Sequence, residues 1–384
     1  MSRIKVLAVA QDLDPSHLGG AESHHVEVVK RLADSGKFEF DIFVGPNAAI
    51  KKIWTNKHVR VHTVTYPKIT NLYSFSYLIA ATPRIIVFAL THPVDLIFAK
   101  EVFPLGIICA AVKLLIRKPL YITAQNPNNF SEEMILQGPL APLFRFFAFP
   151  VIRLLISFAA RLSDLTAGIS RYSAFQAAKF GAKHTTVIPN GVDPSLFPPH
   201  KKQRGKPFQI LSTSSFIPRN GLDVLVEAFA LLPQGQFHLT LTSAGPLLES
   251  IKNLATQFKV FSNITFLGKV DPDQIPVLLS QADVFVRPSR AEGLGTSFIE
   301  AMAAGLPIIG TPVGGIPDFL THRQTGLMSK VDDPQSVARN ILLLKHDPKL
   351  YSSIRLNSLA LIKRTYTWAK ISKAVEREFI KLTK

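Results

Sequence analysis

The chain has 384 residues, enough for two domains of ordinary size, and 47% of them are hydrophobic, which excludes an intrinsically disordered protein. Its single cysteine, Cys109, excludes a disulfide framework and fits the reducing cytoplasm. The net charge is +17, and residues 1–199 carry 21 basic and 13 acidic side chains, so both halves share the excess. An evenly spread charge without a basic tail argues against a nucleic-acid partner and fits an anionic membrane surface, an anionic substrate or simple solubility.

The amino-terminal half begins with an apolar run, residues 4–10, which is typical of a strand buried in a parallel sheet and not of a signal peptide. A glycine pair, Gly19 and Gly20, then leads into a helical pattern that ends near Gly36. This order predicts the start of a doubly wound domain, although the GxGxxG dinucleotide fingerprint is absent. Further strands are expected at residues 40–44, 59–64, 95–99, 120–123 and 166–170.

A proline-rich stretch at residues 194–207 is the best candidate for an interdomain linker. The alternation of strands and helices then restarts, with strands expected at residues 208–213, 237–243, 264–267, 284–286 and 306–309. We therefore predict two doubly wound, Rossmann-like α/β domains with a cleft between the carboxyl ends of their sheets. The predicted domains are residues 1–195, completed by a helix at about 367–384, and residues 196–366.

Two segments, residues 74–90 and 143–162, are nearly apolar enough to span a membrane, but arginines interrupt both of them. The simpler interpretation is a pair of core helices with a charged outer edge. The alternative is a helix in the membrane interface, with the phenylalanines of the second segment buried in lipid. The sequence leaves both interpretations open.

The stretch from residue 287 to residue 315 follows a buried-strand pattern and contains a glycine-rich turn ahead of an apolar helical pattern. Free N–H groups and the helix dipole make such a helix start a binding site for anions. Two acids lie around this start, Glu292 in the turn and Glu300 in the second helical turn. The pattern therefore predicts a site for an anionic ligand.

Seven residues separate Glu292 from Glu300, and this spacing resembles the signature of the retaining, nucleotide-sugar-dependent glycosyltransferases of the GT-B fold. The resemblance is to the family-four type, the glycogen-synthase-like and mannosyltransferase-like group. It extends over almost the whole chain, through Gly19–Glu22, Val187–Asp193, Gly221–Phe229, Thr325–Leu327 and the tail from Trp368. It implies the GT-B fold, with an interdomain cleft, and a nucleotide sugar as the donor.

The resemblance also implies separate roles for the residues of the signature. Glu300 is expected to accept hydrogen bonds from both ribose hydroxyls of the donor, since an ionised carboxylate forms charge-assisted bonds. Glu292, a candidate catalytic residue, is expected to face the transferred sugar and stabilise positive charge at its anomeric carbon. The loop between them is expected to hold the donor diphosphate, through Gly293, Leu294, Gly295, Thr296 and Ser297.

Three positions depart from the family pattern. Gln125, the second candidate catalytic residue, stands where many relatives have a histidine; its amide can bind a sugar hydroxyl but cannot exchange a proton near neutral pH. Ser214 and Asn220 stand at donor-binding positions where the family usually has an arginine and a lysine that grip the diphosphate. Arg219 is then the remaining cation of that donor-binding loop.

We expect a retaining hexosyltransferase that acts on a hydroxyl of an envelope glycan or a lipid-linked acceptor, with Gly19 and Gly20 lining the donor phosphates or the acceptor. Neither a cofactor nor a metal is expected, because histidines and acids lack ligand spacing. The expected location is the cytoplasm, peripheral on the inner face of the plasma membrane. Two alternatives stay open: a non-catalytic GT-B-like scaffold, suggested by Ser214 and Asn220, and a DNA-glucosylating enzyme, suggested by the charge alone.

Overall fold

The computed structural model describes residues 3–11, 13, 20–46, 53–67, 73–125, 141–197 and 207–384. The chain divides into two compact units. The amino-terminal unit comprises Met1–Asn190 together with Trp368–Lys384, and the carboxy-terminal unit comprises Gly191–Thr367. Most of the predicted linker, at residues 198–206, lies outside the described residues.

The described part of the amino-terminal unit contains a parallel sheet of seven strands: β1 (Ile4–Val9), β2 (Phe38–Val44), β3 (Val59–Thr63), β4 (Leu96–Ala99), β5 (Leu120–Ala124), β6 (Leu165–Gly168) and β7 (Thr185–Val187). They lie in the order β3-β2-β1-β4-β5-β6-β7. The α-helices found in the described residues ahead of the linker are α1 (Gly20–Asp34), α2 (Tyr73–Thr91), α3 (Ile107–Ile116), α4 (Ala141–Leu162) and α5 (Arg171–Lys179). Strand β1 pairs with both β2 and β4 and is buried on both faces, which explains its nearly continuous apolar sequence.

The described part of the carboxy-terminal unit contains a second parallel sheet, of six strands: β8 (Phe208–Thr213), β9 (Phe237–Thr242), β10 (Ile264–Phe266), β11 (Val284–Arg287), β12 (Ile308–Gly310) and β13 (Leu327–Met328). Its helices are α6 (Leu222–Ala230), α7 (Leu248–Gln257), α8 (Ile275–Gln281), α9 (Thr296–Ala303), α10 (Pro334–His346) and α11 (Pro348–Thr365). The strand order, β10-β9-β8-β11-β12-β13, reverses between β8 and β11. Ligands of such sheets bind at this point, beyond the carboxyl ends of the strands.

The last helix of the chain, α12 (Trp368–Leu382), belongs to the amino-terminal unit. It packs against α1, and its apolar side chains join the core on the same face of the sheet. The Phe379 ring contacts the rings of Phe38, Phe98 and Tyr121 at centroid distances of 5.0 to 6.0 Å. The amino-terminal core is therefore completed by residues from the far end of the chain.

The two apolar segments form α2 and α4, which contribute to the core on the other face of the amino-terminal sheet. Helix α3 packs against both of them. Their outer faces still carry large exposed apolar side chains, and the side chains of residues 141–148 lie outside the described part. No helix within the described ranges combines the length and the apolar character that crossing a membrane requires. The interpretation as core helices is supported, but their outer faces are not those of ordinary surface helices.

Candidate functional site

The loops that follow β8 and β11 are joined to each other at the carboxyl edge of their sheet. The Arg290 backbone N–H donates to the Arg219 carbonyl at 2.7 Å, and its Nη1 donates to the Pro218 carbonyl at 2.8 Å. The Arg290 guanidinium also forms ion pairs with Asp223 and Asp332, each at 2.6 Å. These bonds hold the two loops as one structure at the point where the strand order reverses.

A buried arginine lies beneath the second loop. Arg287 is the last residue of β11, and only 7% of its surface is exposed. Its Nε donates to Ser289 Oγ at 3.1 Å, and its Nη1 donates to Ser297 Oγ at 2.9 Å. Its Nη2 forms an ion pair with Glu292, and its guanidinium carbon lies 4.7 Å from the centre of the Phe298 ring. The buried charge is thus compensated by a carboxylate and two hydroxyls, as burial requires.

Two glycines let the chain fold closely around Glu292. Gly295 precedes α9 with a φ of 93°, and a Cβ at this position would lie 2.8 Å from the Phe298 ring. Gly314 has a φ of 55°, and a Cβ there would lie 1.7 Å from the Glu292 carbonyl oxygen. A side chain at either position would displace the turn that carries this carboxylate.

The start of α9 offers backbone hydrogen-bond donors. Across the described part of the chain, the N–H groups of Leu294, Gly295 and Ser297 find no acceptor. The Gly293 N–H instead donates to Glu292 Oε1 at 3.0 Å. Three unpaired N–H groups at the positive end of a helix dipole can bind an anion such as a phosphate group.

Glu300 lies on α9, one turn beyond its first residue, Thr296. Burial raises the pKa of Glu300 to about 7, although the charge of Arg287 opposes this rise. No described residue donates a hydrogen bond to its carboxylate. The carboxylate can therefore accept hydrogen bonds from hydroxyl groups of a ligand without losing a hydrogen bond within the protein.

Ser214 and Asn220, where the resemblance predicts cations, are both buried and hydrogen-bonded to nearby residues of β8 and of the loop that follows it. Asn220 Nδ2 donates to the Ser215 carbonyl at 2.8 Å, and the Ser214 hydroxyl lies 3.3 Å from a neighbouring serine hydroxyl. Arg219 lies between them, is partly exposed, and pairs with no acid within the described residues. The positive charge of this loop is therefore carried by Arg219.

Two family models match consecutive parts of the chain. The model of Glycosyltransferase Family 4 matches residues 18–196. The model of Glycosyl transferases group 1 matches residues 196–359, which include both loops of the site. The chain is a family-four-type GT-B glycosyltransferase.

The glycosyltransferase resembles proteins with and without an assigned activity. It is 26% identical to an uncharacterized glycosyltransferase of Methanocaldococcus jannaschii over 96% of each chain. It is 33% identical to a GDP-mannose-dependent alpha-(1-6)-phosphatidylinositol monomannoside mannosyltransferase of Mycobacterium tuberculosis, over 50% of this chain and 54% of the relative. The crystal structure of Anabaena HepE in complex with UDP and glucose has a TM-score of 0.78 and 21% identity, covering 99% of this chain and 100% of that one. The predicted fold, with two doubly wound domains of the GT-B type, is confirmed.

In the amino-terminal unit of the glycosyltransferase, predicted site residues lie at the carboxyl edge of the sheet. Gln125 directly follows β5 and is buried, and neither amide atom of its side chain has a partner in the described part of the chain. Gly20 begins α1, and Gly19 lies outside the described residues. Lys100, directly after β4, forms an ion pair with Glu22 at 2.7 Å. This edge contains neutral and paired groups and no unpaired cation among those named.

The structure brings Glu292, Ser297 and Glu300 together around Arg287, which has no role in the sequence prediction. Its sequence signal is an arginine that ends an otherwise apolar strand. Within the described ranges, no three histidine, cysteine or acidic side chains are grouped so that they could hold a metal ion. The glycosyltransferase thus has a charged site in its carboxy-terminal unit, suited to an anionic ligand that also carries hydroxyl groups.

Proposed function

We propose that this glycosyltransferase transfers a hexosyl group from a nucleoside diphosphate sugar to a hydroxyl of an envelope glycan or a lipid-linked acceptor, with retention of the anomeric configuration. The observation that carries the proposal is the pair of acids, Glu292 and Glu300, around a helix start with unpaired N–H groups. A ligand that contains ribose, diphosphate and sugar would use the two acids and the N–H groups together.

The donor would be held through three kinds of contact. The unpartnered carboxylate of Glu300 would accept hydrogen bonds from the ribose hydroxyls. The N–H groups of Leu294, Gly295 and Ser297 would bind the diphosphate, with Arg219 adding positive charge beside them. Relatives support the class of donor, since one is named for its dependence on GDP-mannose and a protein of similar fold binds UDP and glucose.

Glu292 would act on the transferred sugar. In the proposed retaining step, the acceptor oxygen bonds to the anomeric carbon on the face from which the diphosphate departs. The bond between that carbon and the phosphate oxygen breaks, and the departing phosphate takes the acceptor proton, so no protein base is needed. The Glu292 carboxylate would stabilise the positive charge that develops on the sugar. We propose that the reaction needs neither a cofactor nor a metal.

Calorimetric titration with UDP-, GDP- and ADP-hexoses tests the donor class. At least one donor should bind, and Glu300→Ala should weaken that binding about 10- to 100-fold, since charge-assisted hydrogen bonds contribute about 1.5–3 kcal/mol each. Glu249→Ala is the matched control, because this glutamate on α7 has 76% of its side chain exposed. Unchanged affinity in Glu300→Ala would remove the ribose role. A wild-type chain that binds no donor would favour the non-catalytic scaffold.

The stereochemistry has a separate test. With an α-linked donor that binds and a glycan acceptor, the product formed by the wild-type enzyme should be α-linked, which the one-bond C1–H1 coupling in NMR spectra distinguishes from a β-linkage. A β-linked product would contradict retention. Retention of the protein on duplex DNA at physiological salt would revive the DNA-glucosylating alternative.

We also propose that the enzyme works at an anionic membrane surface, through the outer face of α2, α3 and α4. Apolar side chains exposed on these helices are Ile79, Val87, Leu90, Leu114, Leu115, Val151, Leu154 and Phe158. The three helices contain no acidic residue, and they carry basic residues at Arg84, Lys113, Arg145, Arg153 and Arg161. The Lys113 charge is paired with Asp164, just beyond α4. An apolar face that also carries exposed arginines, Arg84, Arg153 and Arg161, fits a surface of anionic lipid, where a lipid-linked acceptor would reside.

Co-sedimentation with vesicles tests this surface. Binding should be stronger to vesicles of phosphatidylcholine with phosphatidylglycerol than to phosphatidylcholine alone, and the Leu154→Ser/Phe158→Ser variant should lose most of it. Leu356→Ser is the matched control, since Leu356 is exposed on α11 of the other unit. Equal pelleting with both kinds of vesicle, or none, would refute the membrane proposal.

A further inference from the structure

The proposed donor site contains a buried cation that the family resemblance does not predict. Arg287 ends β11 beneath the glycine turn and bonds to Ser289, Ser297 and Glu292. A guanidinium presents its N–H donors as a planar fork, and each of its three nitrogens already has one of these partners. Arg287 therefore acts on the neighbouring side chains and is not a free cation for an incoming diphosphate.

The bonds of Arg287 connect groups with different proposed roles. Glu292 is the acid proposed to face the transferred sugar, and Ser297 belongs to the helix start proposed to bind the diphosphate. Because one planar group bonds to both, their separation and orientation are fixed before a donor arrives. Small errors in such positions lower turnover strongly.

The charge of Arg287 also acts on a second acid. The charged groups that face it are Glu292, Glu300 and Arg219. Burial raises the pKa of Glu300 to about 7, and the Arg287 charge holds it from rising further. Without that charge, Glu300 would be protonated in a larger fraction of molecules at neutral pH. A protonated Glu300 could no longer accept hydrogen bonds from both ribose hydroxyls.

We propose that Arg287 is a positioning residue for the donor: its planar fork fixes Glu292 relative to Ser297, and its charge keeps Glu300 in the form that binds ribose. This inference rests on the proposed nucleotide-sugar donor. The two actions can be separated experimentally, because a lysine keeps the charge but loses the planar fork.

The test measures donor affinity and turnover as functions of pH in the full chain, with the nucleoside diphosphate sugar that the wild type binds best. The diphosphate of such a donor does not titrate near neutrality, so a midpoint there reports on the protein. Wild-type affinity should rise with pH through a midpoint of about 7, since the ionised form of Glu300 binds the donor. In Glu300→Gln this pH dependence should disappear.

Arg287→Met should move the midpoint to higher pH. If it moves to about 8, donor affinity at about pH 7 falls about fivefold, and the difference vanishes above about pH 9. Arg287→Lys should keep the wild-type midpoint, lower kcat about tenfold or more, and leave KM for the donor nearly unchanged. Arg339→Met removes an exposed arginine of α10 and should match the wild type throughout.

An unchanged midpoint in Arg287→Met would overturn the electrostatic part of the proposal, and wild-type turnover in Arg287→Lys would overturn the positioning part. Circular dichroism checks that each variant is folded. If Arg287→Met unfolds, the Arg287→Met/Glu292→Gln double variant removes both charges of the buried pair and allows the same affinity measurement. Failure of the proposed function is a different result, because the wild type would then bind none of the nucleoside diphosphate sugars.

Discussion

The two units share one architecture, a parallel sheet flanked by helices, but they differ in how their buried polar groups are satisfied. Buried charges are paired in both units, Arg287 with Glu292 and Lys100 with Glu22. In the amino-terminal unit, His25 and Gln125 are buried, and their side-chain nitrogen and oxygen atoms have no hydrogen-bond partner among the described residues. An unpaired buried charge costs far more than an unpaired neutral group. Buried charges must therefore be paired with other groups of the chain, whereas buried neutral groups such as the Gln125 amide can stay unpaired and available to a ligand.

The stability of the amino-terminal unit can be measured separately from that of the whole chain. The chain contains two tryptophans, Trp54 and Trp368, and both are buried in the amino-terminal unit. Tryptophan fluorescence therefore follows the unfolding of that unit alone, while circular dichroism follows both units.

The largest effect is expected from removal of α12 by truncation before Trp368. Four of its apolar side chains are buried in the amino-terminal core: Trp368, Ile371, Val375 and Phe379. Burial of each contributes roughly 1.5–3 kcal/mol, so their loss is comparable with a whole stability of roughly 5–15 kcal/mol. Trp54 should become exposed, while the carboxy-terminal unit, a continuous segment, keeps a cooperative unfolding transition. A native Trp54 emission spectrum would contradict this, and deletion of residues 383–384 alone is the control.

The next effect breaks the buried ion pair. Glu292→Leu should destabilise the carboxy-terminal unit by about 3–5 kcal/mol, because it leaves the Arg287 charge buried without its carboxylate. Urea unfolding followed by circular dichroism measures the loss. In Glu249→Leu, which breaks an exposed pair with Lys252, the change should stay below about 0.5 kcal/mol. Equal stabilities of the two variants would mean that the buried pair is not required.

The two units should also respond to pH in opposite directions. Burial lowers the pKa of His24 from 6.5 to about 4, so the stability that neutral His24 provides is lost as pH falls between these values, by about 3 kcal/mol. Burial raises the pKa of Glu300 from 4.5 to about 7, so the carboxy-terminal unit loses a similar amount as pH rises through that range. Urea midpoints at about pH 4.5 and about pH 6.5 test both signs. In His24→Leu the acid sensitivity of tryptophan fluorescence should decrease; parallel profiles for both units would contradict the prediction.

The sequence predicted most of the fold because buried parallel strands are continuous apolar runs. The expected strands at residues 4–10 and 208–213 correspond to β1 and β8 within one residue at each end. Three elements of the described carboxy-terminal unit, β13, α10 and α11, have no predicted counterpart. Strand β13 has two residues, too few for any periodicity, and α11 exposes polar and apolar residues on its outer face. Whether such segments form a strand or a helix is decided by tertiary packing and not by the local sequence pattern.

The part of the candidate site that could be predicted is the part that depends only on the spacing of residues in the sequence. The distance in sequence between Glu292 and Glu300 indicates the two acids, and their roles stay predictions. Arg287 was missed because a strand pattern treats buried positions as apolar. Its pairing with Glu292 depends on the turn that Gly295 and Gly314 allow, which is a property of the folded backbone. The loss of cations at the β8 loop was visible in the sequence, but the internal bonds of that loop were not.

The smallest effect concerns Gln125, whose buried amide has no partner within the described residues. Gln125→Leu should leave the amino-terminal unit as stable as the wild type or stabilise it by up to about 1 kcal/mol, because it removes unsatisfied polar atoms from the interior. Ser163→Ala is the matched comparison in the same unit, since that hydroxyl donates to the Ala160 carbonyl at 2.7 Å. It should destabilise by about 1 kcal/mol. Urea midpoints from tryptophan fluorescence give both values. If Gln125→Leu costs more than about 2 kcal/mol, the amide has a partner in the folded chain, and the contrast between the units fails. If it is neutral for stability yet lowers turnover, the amide serves the substrate.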